Sequence, residues 1–91
     1  MQQPTIGRIV HYTLNAGDVT LIDRHSPRIV DGRTVRNDVR AGQAYPAQVV
    51  AVFGSGSTAN LIVQLDGEGQ HWATSRQVGD GEGQWAWPPR V

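Results

Sequence analysis

Eleven glycines and five prolines punctuate a chain of 91 residues. Both residue types break helices, so the chain favours short strands and tight turns over a helical bundle. The segments between them are rich in branched and aromatic residues. Ile6, Val10, Tyr12 and Leu14 fall on one side of an alternating pattern over 6–14, which predicts a strand. Arg8 shares that side, so it belongs at an end or a rim. Asn15 then offers a helix cap, Asp18 stands three residues later as in a capping box, and Leu14 and Val19 fit a hydrophobic staple. Val19 and Ile22 share a face, and Pro27 disfavours helix at Ser26. A short helix is predicted over 16–25.

Residues 26–43 lack clean periodicity and read as a long loop, with a short strand near Ile29-Val30. Tyr45–Phe53 and Asn60–Leu65 read as strands buried on both faces, joined through Gly54-Ser55-Gly56-Ser57. Asp66-Gly67 opens a tight connection to a strand at His71–Ser75. A glycine-rich turn at 79–83 leads to a last strand, Gln84–Trp87, stopped by Pro88-Pro89. Five short strands in a meander with one helix after the first predict a mainly β single domain over 1–91. Closing the strands into a small barrel would remove exposed edges.

The composition narrows the chemistry. Formal net charge is zero with His neutral, which disfavours DNA or RNA as a sequence-blind partner. All eight basic residues are Arg, each a planar fork able to grip a carboxylate or phosphate. Arg24, Arg28, Arg33, Arg36 and Arg40 outweigh Asp31 and Asp38, whereas Asp66, Glu68, Asp80 and Glu82 outweigh Arg76. Opposite patches on a neutral chain suit self-association, and a homo-oligomer is expected. A chain this short buries only about 60% of its unfolded surface, which makes added contacts useful. Without Cys there is no thiol nucleophile and no thiolate metal site. No apolar run approaches the length of a transmembrane helix.

No phosphate-binding glycine loop with Lys and no nucleophile elbow is present. His11, His25 and His71 lack metal-ligand spacing. A barrel can bring His11 and His71 near Asp66 or Glu68, but a lone His on a strand is more often held by a hydrogen bond. No metal, cofactor or enzymatic activity is therefore expected. The positive signal combines aromatic rings with guanidinium groups. Trp72, Trp85 and Trp87 lie within sixteen residues, with Arg76 and Arg90 close behind and Tyr12 and Tyr45 able to join them. Trp85 and Trp87 share a strand face. A stacking surface beside a bidentate anion grip suits a nucleobase carrying a phosphate. The competing reading makes the three Trp the core of a small protein.

Two resemblances add expectations. The run from Gly42 through Tyr45-Pro46-Ala47, Val49-Val50 and Leu65-Asp66-Gly67 to Trp72-Ala73 looks like the early strands of an SH3-like or Tudor-like barrel. The segments Pro4–Leu14, Ala41–Ala47, Val63–Gly67, Trp72–Ser75 and Gly83–Val91 resemble a family of small proteins from phages of actinobacteria. The Trp-Ala-Trp-Pro-Pro-Arg-Val ending is its most specific part, and the segment after the first strand is shorter here. That resemblance implies a phage accessory protein acting in the host cytoplasm and brings no activity with it. Size, source and residue types together suggest a protein that sequesters a nucleotide-type immune signal of the host without turnover. An SH3-like interaction module or a minor virion component is the alternative. Trp72, Arg76, Trp85, Trp87, Arg90, Tyr12 and Tyr45 are the candidate ligand-binding residues.

Overall fold

A computed structural model describes residues 5–25, 28–35, 39–54, 57–66 and 69–89. Its elements are β1 (Ile9–Thr13), α1 (Ala16–His25), β2 (Arg28–Val30), β3 (Arg33–Val35), β4 (Ala44–Phe53), β5 (Thr58–Gln64), β6 (Gln70–Val78) and β7 (Gln84–Ala86). Strands β1, β4, β5, β6 and β7 close into a five-stranded, SH3-like barrel, with one short helix after the first strand. The expected fold class is the observed one.

Closure uses a pairing that a meander does not supply. β7 runs antiparallel to β1, through Tyr12 opposite Trp85, but parallel to β6, through Val78 opposite Trp85. The chain gets there by turning through residues 79–83. At the end of that turn Gly83, at φ +77, donates its N–H to Thr13 O at 2.7 Å. A Cβ on Gly83 would stand 2.9 Å from the Asn15 side-chain nitrogen, so glycine lets the turn close against the helix cap.

The wall is one-sided throughout. β4 alternates buried with exposed residues as far as Val50, and β5 alternates buried with half-buried ones, so neither is fully buried on both faces as expected. A closed barrel has one interior, and α1 does not cover the outside of these strands. Val10, Tyr12, Leu14, Tyr45, Ala47, Val49, Ala59, Leu61, Val63, Leu65, Ala73 and Trp85 form the core together with Ile22 of α1. Two irregularities bend the wall. The register slips between Val49 and Ala51, and again where Asn60 faces Thr74 and Ser75. Ser75 adopts φ +55, and its N–H is held by Asn60 Oδ1 at 2.7 Å. Such bulges increase local twist, which bends β6 so that it stays paired with β5 through Arg76 and Gln77 and also reaches β7 through Gln77 and Val78.

Several boundaries differ from the sequence reading; β5 begins at Thr58 and β6 runs on to Val78, past the expected end at Ser75. Ile6 is 73% exposed in a turn at Gly7 (φ +95), and the first strand begins only at Ile9. Arg8 is at the rim, as its place in the pattern required. The long loop over 26–43 contains a hairpin, with β2 paired to β3 across Asp31 (φ 51) and Gly32 (φ 76). Two successive positive φ angles make a type I′ turn, for which Asp-Gly is a preferred pair. The hairpin forms its own two-stranded sheet.

Candidate functional site

The helix cap carries more than the helix. Asp18 N–H donates to Asn15 Oδ1 at 2.7 Å, and Asn15 N–H donates back to Asp18 Oδ2 at 3.0 Å. This reciprocal pair is a capping box with Asp in place of Glu. The shorter side chain leaves the Asp18 carboxylate buried, at 1% exposure, inside the end of the barrel. There Tyr12 Oη donates to Oδ2 at 2.5 Å, Arg76 donates to Oδ1 at 3.0 Å, and His71 Nε2 lies 2.9 Å from Oδ1. An ionised carboxylate only accepts, so His71 Nε2 carries the proton in this contact. The Arg76 guanidinium also lies over the Tyr12 ring, 5.7 Å from its centroid.

Burial raises the carboxyl pKa of Asp18. The hydrogen bonds from His71, Asn15 and Tyr12 and the charge of Arg76 outweigh it and bring the value down to about 2. Burial, and then the bond to Asp18, raise Tyr12 above its ordinary range. The linkage sign for Asp18 follows from the depressed folded-state pKa. Its stabilisation is fully present above the unfolded value near pH 4 and is lost as pH falls through 2. The difference is worth about 2 kcal/mol at neutral pH. Acid titration followed by circular dichroism is expected to show wild-type stability falling between pH 4 and 2. Asp18→Asn should lack that component of the decline, and a profile identical to wild type would exclude Asp18 as its source.

The expected site residues do not form one platform. Tyr12 and Trp85 have no accessible surface, and Tyr45 is 9% exposed. Trp85 Nε1 donates to Arg76 O at 3.2 Å, and Trp87 meets the Trp85 ring edge-on with centroids 5.8 Å apart. The shared face of Trp85 and Trp87 is thus a contact between them. Arg8 covers the Trp87 ring, with its guanidinium carbon 5.0 Å from the centroid. Arg76 is turned inward to Asp18, and Tyr45 Oη donates to Gln43 Oε1 at 2.7 Å. Arg90, Arg36, Asp38, Gly67, Glu68, Ser55 and Gly56 lie outside the described residues. His11 and His71 do not meet, since His11 alternates with the inward Val10 and Tyr12 while His71 points inward. Among the described residues no three metal-binding side chains cluster.

Trp72 stands apart. It is 62% exposed on the outer wall of the barrel, the most exposed of the three indoles. The strand register carries this position around the outside of the closed barrel: Ile9 faces Gln48, Gln48 faces Ile62, and Ile62 faces Trp72. Val50 and Phe53 are exposed on the outer face of β4 at 37% and 47%, and Ile9 on that of β1 at 50%. Neither β4 nor β5 contains a charged residue, and the single Arg of β6 points inward. A soluble domain ordinarily carries interspersed charges over about a quarter to a third of its surface. An uncharged, aromatic-bearing wall is the composition of an interface centre. Comparison of the chain with protein-family models, with curated proteins and with solved structures yields no match.

Proposed function

We propose that this protein is a docking module without turnover, engaging its partner through the uncharged outer wall of β4, β5 and β6. The observation that carries the reading is the exposure of Trp72 beside the half-buried Ile62 on this wall. A large indole left in water forfeits about 1.5–3 kcal/mol of burial, which a partner's apolar surface recovers on docking. The buried Tyr12–Asp18–His71–Arg76 cluster serves this function indirectly, by pinning α1 across the end of the barrel and keeping the wall rigid.

Sequestration of a nucleotide-type signal requires an open indole face and an available guanidinium side by side. Trp72 supplies an open ring, but among the described residues Arg76 is bonded to Asp18 and Arg8 is stacked on Trp87. Among the described residues the geometry favours docking over sequestration. A phage accessory role accommodates either.

The test replaces Trp72 by the photo-crosslinking residue benzoylphenylalanine, with Asp23 on the exposed side of α1 as the control position. Irradiation in living host cells should give a discrete adduct from position 72 and none from position 23. No adduct, or the same adducts from both, overturns the docking wall. Mass spectrometry of small molecules released by heating the purified protein gives the competing outcome. A stoichiometric nucleotide there replaces docking with sequestration.

A further inference from the structure

We infer that the partner of this wall is a neutral carbohydrate, stacked on Trp72 and read by the amide pair Gln64–Gln70 beside it. The inference rests on the docking reading above and names the chemical class of the partner.

The site is local to two neighbouring strands. On the outer face of β6, Gln70, Trp72 and Thr74 are all exposed. Across from them on β5, the exposed Gln64 faces Gln70 and the half-buried Ile62 faces Trp72. Gln70 Nε2 donates to Gln64 Oε1 at 3.4 Å. A primary amide has two donors and one acceptor oxygen, so this bond leaves Gln64 both of its N–H groups and Gln70 its oxygen. A donor and an acceptor thus stand side by side next to an open indole. Two adjacent hydroxyls of a sugar ring, each able to donate and accept, complement that pair. Alternate residues of a strand lie roughly 7 Å apart and diagonal cross-strand neighbours about 7–8 Å, so both amides are one sugar ring away from Trp72.

The indole supplies the other half. Its face is the negative side of the ring quadrupole and attracts the weakly positive C–H groups on the flat side of a pyranose. A sugar is apolar on that side and polar around its rim. The site has the same division, apolar at Trp72 and Ile62 and polar at Gln64, Gln70 and Thr74.

Other partners fit these groups less well. A wholly apolar surface laid over Trp72 would strip water from two amides and return no hydrogen bonds. A phosphate ester would need a cation near the ring. β5 has none, the Arg of β6 is turned in to Asp18, and the first ionisable residue after β5 is the exposed carboxylate of Asp66. The wall curves with the closed barrel, so a sugar is covered on one side only and binds in the millimolar range. A polysaccharide offsets weak unit affinity, because release from one repeat is followed by rebinding to the next.

Nuclear magnetic resonance titration of the full chain with neutral oligosaccharides of glucose, mannose, galactose, arabinose and N-acetylglucosamine tests the inference. At millimolar sugar, at least one should shift the Trp72 indole N–H and the Gln64 and Gln70 side-chain amide signals, and leave the indole signal of buried Trp85 in place. Trp72→Ala should weaken that binding by about tenfold or more. Gln64→Leu combined with Gln70→Leu should weaken it by about fivefold or more. Both variants should keep the wild-type melting curve, because all three side chains are exposed. The leucine pair separates the occupants, since it would strengthen docking of an apolar protein surface. No shift with any of the sugars overturns the inference, and so does sugar binding that the leucine pair leaves unchanged. If no sugar binds while position 72 still crosslinks to a host protein, the carbohydrate is excluded and the docking wall stands. If position 72 gives no adduct either, both readings fall.

Discussion

Replacing Asp18 with Ala is expected to cost about 3–5 kcal/mol, close to the whole stability of the domain. The carboxylate accepts bonds from Tyr12, His71, Arg76 and the Asn15 backbone, and it is 1% exposed. Its removal leaves a buried phenol, a buried imidazole and a guanidinium without their common acceptor. The Arg76 Nε is already buried without a partner, so the cluster has no spare acceptor to offer. Asn15 loses half of its capping box as well, and α1 loses its polar attachment to β6. Tyr12→Phe removes one donor and leaves the carboxylate three others, so it should cost only about 1 kcal/mol. Urea unfolding followed by far-UV circular dichroism measures both. An Asp18→Ala midpoint no lower than that of Tyr12→Phe would show that the carboxylate does not hold the helix to the barrel. The net worth of the cluster is a separate quantity, because a well-packed apolar replacement of all its members can be as stable.

Trp85→Ala should be nearly as damaging, at about 3–5 kcal/mol. Trp85 is fully buried and stands where the barrel closes, opposite Tyr12 on one side and Val78 on the other. Truncation opens a cavity at the seam, breaks the bond from Nε1 to Arg76 O and removes the edge contact with Trp87. Trp72→Ala is the internal control, since its ring is largely in water and its loss should leave the urea midpoint nearly unchanged. Equal midpoints for the two variants would contradict their opposite placement in the wall.

Much of the local structure was legible from spacing alone. Asn15 and Asp18 announced the helix, and α1 begins and ends where the cap and Pro27 place it. The glycine turns marked the strand ends, and alternation identified the inward residues of β1 from Val10 onward. The Asp31-Gly32 hairpin was also legible, because that dipeptide favours the turn that forms. The arginine-rich flanks hid it, because Arg28, Arg33 and Arg36 interrupt the alternation that marks a strand. The reading of β4 and β5 as doubly buried failed for a related reason. Runs such as Val49-Val50-Ala51-Val52-Phe53 look the same whether both faces are covered or one is left bare.

The sequence by itself determined the class of fold, the capped helix and the scarcity of charge along the central strands, since these depend on residues within a few positions of one another. Only the tertiary structure decided that Asp18 meets His71 and Arg76 across more than fifty residues, and that Trp85 is core while Trp72 faces water. The reason is geometric. Alternation says which residues share a face of a strand, but closure of the barrel decides which face becomes the inside, and the slip at Asn60 and Ser75 decides where β6 bends toward β7.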